Sequence, residues 1–334
     1  MAGLADQGRT VTLSHVAATA GVGESTVSRV LRGQGSVSQK TRVRVLEAVR
    51  ALGYVPNRIA GTLASSGSRL VGIVVPSLAN VVFADLLRGA SQALEEDGFQ
   101  PVIAVSEYDR DREAAHVAAM LAWRPAALML PGLEHAAQTH ALLAGGKARI
   151  VEVLDTDGVG MDIVVGFSNH AVGHAGARHL LARGYRRFGY VGHDLSRDTR
   201  AAKRLAGFEA ALRQAGVSEV VREVSAAPSS VELGRDGLDR LMARHRGLDA
   251  VYFSNDDMAL GGYFLCLARA VAMPERLALF GHNGLDMARL TPQPLATIRT
   301  PRVAAGTIAA RLVGAGAPAQ TVDVGFELVP GATA

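Results

Sequence analysis

VTLSHVAATAGVGESTVSRVL, residues 11–31, reads as helix, glycine turn, helix. Thr12 is placed to cap a first helix over Leu13–Ala20, because a threonine oxygen can accept from a free N–H of the first turn. Gly21-Val22-Gly23 breaks that helix, and glycine supplies a tight turn cheaply. A second helix runs from Glu24 to Leu31. Val27, Val30 and Leu31 fall at helical spacing, and Glu24, Ser25, Thr26, Ser28 and Arg29 form the polar side. Such a unit fits the major groove of duplex DNA: short hydroxyl side chains permit close approach, and arginine reaches guanine or phosphate. The pattern alone also suits a small helical docking domain. Ser38 caps a third helix that runs to Leu52, with Val45, Val49 and Leu52 on one face and Gly53 as its stop.

Charge follows the same division. Residues 1–69 hold nine Lys/Arg against three acids, for a net +6, whereas the rest of the 334 residues nets −2. A basic head on a near-neutral body is the footprint of contact with a polyanion. The single cysteine, Cys266, allows neither an internal disulfide nor a cysteine metal cluster, and it reads as a small buried hydrophobe. The N-terminus lacks a secretory pattern and no stretch reaches membrane-spanning length, so a cytoplasmic protein without membrane contact is expected. Residues 1–10 read as a disordered leader.

Beyond residue 69 the pattern becomes strand and helix in alternation. Apolar runs stand at Leu70–Val75, Pro101–Val105, Ala127–Leu130, Ile150–Leu154, Ile163–Phe167, Arg187–Val191, Ala250–Ser254, Leu277–Phe280 and Ala296–Ile298. Helical stretches such as Phe83–Asp97, Arg112–Trp123, Ala171–Arg183 and Arg204–Ala215 separate them. This alternation predicts parallel sheets covered on both faces. The number of strands exceeds one typical sheet, which predicts two doubly wound subdomains with a ligand cleft between them.

The block VTLSHVAATAGVGESTVSRVLRGQGSVSQKTRVRVLEAVRALGYVPNRIAGTLA, residues 11–64, resembles the head of LacI/GalR-family repressors. The matching marks are VTLxxVAxxAGV, TVSRVL and VSxxTRxxVxxAxxxLGYxPNxxAxxLA. The resemblance implies a helix-turn-helix domain over 11–56 and a hinge helix or linker over 57–69. It places Glu24, Ser25 and Arg29 at base-reading positions. It gives Thr12, Thr26, Ser28, Ser38 and Thr41 phosphate-positioning roles, and it makes Tyr54 and Asn57 contacts near the end of the third helix. Leu63 falls where a hinge side chain wedges into the minor groove. Glu24 departs from expectation: it either accepts from cytosine N4 or repels phosphate. His15 stands where an acid is common, with no role evident from sequence.

From Leu70 onward the chain is similar to the family's periplasmic-binding-protein-like sensor, closest to the gluconate-repressor branch. The phrases that carry this are VGIVVPSLANVVFADLLRGA, MDIVVGFSN, FSNDDMALGG and GFELVPG. The implied sensor covers 70–334, with one subdomain over about 70–167 and 300–325 and the other over about 168–299 and 326–334. Strand ends should supply the effector site: Ser77, Asn80, Val82 and Phe83 after the first strand, then Asp155, Arg200, Arg204, Asn255, His282 and Asn283. Phe83 either stacks on a ligand or belongs to the core. Asp155 is either a sugar-hydroxyl acceptor or an ordinary turn residue. Asp256 reads as a helix cap. Arg200 and Arg204, four apart, share one helical face and suit a carboxylate. Arg197 and Lys203 nearby leave open a solvated basic face. His282 and Asn283 replace an aspartate pair usual in sugar-binding relatives, which removes repulsion against an anionic ligand.

The expectation is therefore a homodimeric, operator-binding regulator, a repressor that senses a sugar acid such as gluconate. No cofactor, metal or catalytic group is expected. The i, i+4 pair His170 and His174 lacks a third metal ligand in the sequence. The rival class is a sugar or sugar-acid receptor or enzyme without a regulatory role. The basic head opposes it, and so does the lack of a nucleophile–base pair or phosphate loop at convincing spacing.

Overall fold

The computed structural model describes residues 11–33, 35–55 and 68–334. They fall into two compact units, divided between residues 67 and 68. The expected leader over 1–10, the contact at Asn57 and the hinge helix with Leu63 lie outside the described residues.

In the first unit, α1 spans Leu13–Ala20, α2 Glu24–Arg32 and α3 Gln39–Leu52. Their apolar positions meet in a small core of Val16, Ala17, Ala20, Val27, Val30, Val45 and Ala48, with Tyr54 packed against it. The turn between α1 and α2 depends on Gly21 at φ 60°, where a Cβ would lie 2.9 Å from Arg44 Nη2. The Arg44 guanidinium donates to the carbonyls of Ala20 and Gly21, so α3 braces the turn.

The second unit contains two parallel sheets. The larger has the order β11-β5-β4-β3-β1-β2. Its strands are β1 (Leu70–Val75), β2 (Gln100–Val105), β3 (Ala127–Pro131), β4 (Arg149–Val153), β5 (Ile163–Gly166) and β11 (Gln320–Asp323). Helices α4 (Val81–Glu96), α5 (Arg110–Ala122), α6 (Ala137–Gly145) and α12 (Arg302–Gly314) accompany it. The smaller sheet has the order β7-β6-β8-β9. It comprises β6 (Phe188–Gly192), β7 (Val220–Val224), β8 (Ala250–Phe253) and β9 (Ala278–Phe280). Its helices are α7 (Asn169–Ala182), α8 (Thr199–Gln214), α9 (Val231–Arg244), α10 (Asp256–Ala268) and the short α11 (Asp286–Arg289). These two lobes are joined where the chain leaves β5, where it returns into α12, and where it leaves β11. Close by, β10 (Thr297–Arg299) pairs antiparallel with β12 (Glu327–Val329).

Strands β1, β3, β4, β5, β6, β8 and β9 are almost wholly buried, as expected of parallel strands covered on both faces. The strands not read from apolar runs are β7, β11 and β12; β7 and β11 lie at sheet edges, where polar residues interrupt them and Arg222, Val224, Thr321 and Asp323 are exposed. That is why a search for apolar runs passes over them. In both sheets the C-terminal strand ends carry the loops that bring polar side chains together, the place where open α/β sheets bind ligands.

Candidate functional site

In the head, Glu24, Ser25 and Arg29 are exposed on α2, while Thr26 and Ser28 are half-buried. Glu24 is not free to swing: its carboxylate accepts from the Ser14 hydroxyl on α1. His15 has a defined structural role. The Thr12 N–H donates to its Nδ1 at 3.1 Å, so His15 fills the position that Glu or Gln holds in a capping box. Ser38 caps α3 by accepting from the Thr41 N–H at 3.2 Å, and the two hydroxyls lie 2.9 Å apart. Tyr54 is half-buried against the core.

In the second unit, the expected effector residues divide between the lobes. On the larger lobe, the Ser77 hydroxyl accepts from Ala79 N–H at 3.1 Å, and Asn80 caps α4 through Val82 N–H at 3.1 Å. Val82 is half-buried and packs against the main core. The buried Phe83 ring meets Tyr108 edge-on at 6.3 Å and carries the Arg200 guanidinium 5.1 Å from its centroid. A cation on an aromatic face is attracted by the ring quadrupole, so Phe83 helps to hold Arg200.

The smaller lobe contributes the charge. Asp198 caps α8 through Ala201 N–H at 3.2 Å. Its carboxylate accepts from His193 Nε2 at 3.2 Å and lies 3.5 Å from Arg200 Nε. Burial opposes its charge, but Arg200, His193 and Arg204 together hold its carboxyl well below the usual carboxylate range. Arg204 donates through Nη1 to Asn169 Oδ1 at 2.9 Å and through Nη2 to the Ser254 carbonyl at 3.4 Å. His282 is buried. That burial, with Arg204 and Arg302 nearby, pushes its pKa well below 6.5, so the ring is neutral at pH 7. Among the described residues, Arg204 Nε, His193 Nδ1, His282 Nδ1 and the Tyr252 hydroxyl are buried without a protein partner. Buried polar groups of this kind pair with water or ligand in folded proteins. A cavity of about 50 Å³ lies between the lobes, lined by Pro76, Ser106, Tyr108, Glu134, Asp198 and Arg200 among others.

Three expected residues have other engagements. Asp155 is fully buried: one carboxylate oxygen accepts from Lys203 Nζ at 2.5 Å and the other from Asp157 N–H at 3.0 Å. Asn255, not Asp256, caps α10 by accepting from Met258 N–H at 3.0 Å, and it donates to Ser229 Oγ at 2.6 Å. With the cap position filled, Asp256 anchors the loop after β9. It accepts from Leu285 N–H at 2.8 Å and from the Thr297 hydroxyl at 2.6 Å, and burial pushes its pKa up to about 6. Asn283 in that loop is buried at φ 117°.

Sequence reading passed over Asp198, His193, Tyr108 and Arg302. Asp198 had a signal, an acid at the N-cap of a helix that starts at Thr199 rather than at Arg204. Arg302 had none: it donates to Asp85 Oδ2 at 2.9 and 3.1 Å, and to the Asn283 carbonyl across the lobes.

Residues 12–57 match the family described as bacterial regulatory proteins, lacI family, and residues 177–334 match a periplasmic binding protein-like domain. The HTH-type transcriptional regulator GntR of Pseudomonas aeruginosa is 38% identical over 95% of this chain and 94% of its own. A crystal structure of a LacI-family transcriptional regulator from Silicibacter pomeroyi superposes with a TM-score of 0.92 at 37% identity, covering 97% of this chain and 99% of that one. The lac repressor dimer bound to operator and an anti-inducer shares the fold, with a TM-score of 0.82 at 24% identity, covering 97% of this chain and 99% of that one.

Proposed function

The chain belongs to the lacI family of bacterial regulatory proteins and is a DNA-binding transcriptional regulator; from that premise we propose that it is a homodimeric repressor released from its operator by a sugar acid such as gluconate. The observation that carries the ligand class is the charge on the smaller lobe. Two guanidinium groups, Arg200 and Arg204, surround one carboxylate, Asp198, and the neutral His282 adds no negative charge. That local group on the smaller lobe holds one more cation than anion, which favours an anion over a neutral sugar at this spot. Arg204 Nε and His282 Nδ1 are the donor and ring nitrogen best placed to receive it. Asn169, through its bond to Arg204, fixes the guanidinium plane.

Base reading falls to Ser25 and Arg29, with Glu24 in the orientation that Ser14 imposes. The dimer reading is supported by exposed apolar side chains, Phe264 and Leu267 on α10 and Met287 and Leu290 at α11, of the kind a partner chain covers. Ligand lowers operator affinity because it binds the DNA-incompetent state better.

Isothermal titration of the purified protein with gluconate and with glucose tests the ligand class. Gluconate should bind and glucose should not. The Arg204→Ala variant should lose roughly 2 kcal/mol of gluconate affinity, the scale of one charge-assisted contact. Tighter binding of glucose than of gluconate would overturn the sugar-acid reading.

A further inference from the structure

Lys203 sits one residue before Arg204 on α8 and reaches the larger lobe. Its Nζ lies 2.5 Å from Glu134 Oε1, 2.5 Å from Asp155 Oδ2 and 3.0 Å from the Asp157 carbonyl. Glu134 and Asp155 stand on the loops after β3 and β4, so every one of these bonds crosses from the smaller lobe to the larger. Thr199, one helical turn earlier, adds a fourth crossing bond from its hydroxyl to Glu134 Oε2 at 3.0 Å. The Lys203 side chain is only one-fifth exposed and that of Asp155 not at all. Burial disfavours the charge on Lys203, but hydrogen bonds to Asp155 and Glu134 more than offset it and raise its pKa.

The charges are unevenly matched: two carboxylates face one ammonium. When the lobes separate, Asp155 loses its cation, because its remaining bond is to the Asp157 N–H. Separation exposes both groups to water, and because a partly buried pair holds more strongly than an exposed one, the paired arrangement biases the lobes toward approach. None of these bonds involves Arg200, Arg204 or His282, although Glu134 and Thr199 line the same cavity as Arg200.

We propose that Lys203, with Glu134 and Asp155, is a cross-cleft latch that holds the two lobes together before effector binds, and thereby sets how much effector is needed to shift the regulator. Asp155 thus acts as the anchor of the latch and not as a free hydroxyl acceptor. The effector threshold rests on the cleft being the effector site, whereas the latch itself does not.

The test uses the full chain with neither ligand nor DNA, so it fails separately from the sugar-acid reading. Cysteines at the exposed positions Ala118 on α5 and Ala206 on α8 carry spin labels, and labelled chains are diluted with unlabelled ones. Cys266 is buried and is not expected to react. Electron–electron distance measurement should give a single short population in the parent. In Lys203→Met a longer population should appear, its ratio to the short one raised roughly 5-fold or more, the scale of a partly buried ion pair. Glu134→Gln, at a more exposed site, keeps Asp155 paired and should give a smaller shift in the same direction. An unchanged distance distribution in Glu134→Gln and in folded Lys203→Met would overturn the latch, and so would a parent protein that is already open.

Discussion

The head and the sensor hold their polar side chains in opposite ways. In the head the polar groups that face outward are fixed by near neighbours in sequence: Thr12 by His15, Thr41 by Ser38, Glu24 by Ser14. In the sensor the charges are largely buried, and several partners lie far along the chain: Arg204 with Asn169, Lys203 with Asp155, Arg302 with Asp85, although Asp198 meets its near neighbours His193 and Arg200. An exposed group can be exchanged with little effect on folding, whereas a buried charge stripped of its partner destabilises the whole unit. The head is thus free to change what it reads, and the sensor is not free to change its charges one at a time.

The sharpest way to break that contrast is Asp198→Asn. It leaves Arg200 and Arg204 uncompensated in a buried site, at a cost of about 3–5 kcal/mol measured by chemical denaturation. Added gluconate should restore part of the loss, because a ligand that binds only the folded state stabilises it. A variant as stable as the parent would mean that the arginines are not held by that carboxylate.

Next in size is a dependence on pH. His135 is buried between Glu113 and Glu152; burial opposes its charge, but the two carboxylates raise its pKa to about 9. A folded pKa above the unfolded value of about 6.5 gives stability that is complete below pH 6.5 and lost as pH rises through 9. The loss should be on the order of 2–3 kcal/mol, seen as a falling denaturation midpoint, and His135→Asn should flatten the slope.

In the head, Gly21→Ala should cost about 1–2 kcal/mol, from left-handed backbone strain and the displaced Arg44 guanidinium. Smallest should be Ser14→Ala. It frees the Glu24 carboxylate with almost no change in thermal midpoint, but it alters by about 1 kcal/mol the preference among operator bases, as read by selection from randomised DNA. A large loss of stability there would contradict the exposed, locally held character of the head.

The same contrast explains what could be read in advance. The three head helices were legible because their caps and stops are local: Ser38 before α3, and Gly21 and Gly53 after α1 and α3. The buried strands were legible as apolar runs, whereas β7 and β11 were not, since polar residues interrupt both. Arg204 and His282 were singled out through family resemblance. Their setting was not, because no spacing rule connects Arg302 with Asp85, 217 residues apart, or Lys203 with Glu134. The cap was assigned to Asp256 when Asn255 forms it, for a related reason: which of two adjacent acceptors caps a helix depends on where the preceding strand ends.

The most direct measurement is fluorescence anisotropy of the promoter DNA upstream of the protein's own operon, titrated with purified protein at fixed salt, with and without gluconate. Saturable binding should occur, stronger than to a scrambled duplex, weaker at higher salt, and weakened further by gluconate. Binding that does not distinguish the promoter from scrambled DNA under any of these conditions would contradict the assignment of this chain as a sequence-specific, effector-responsive regulator.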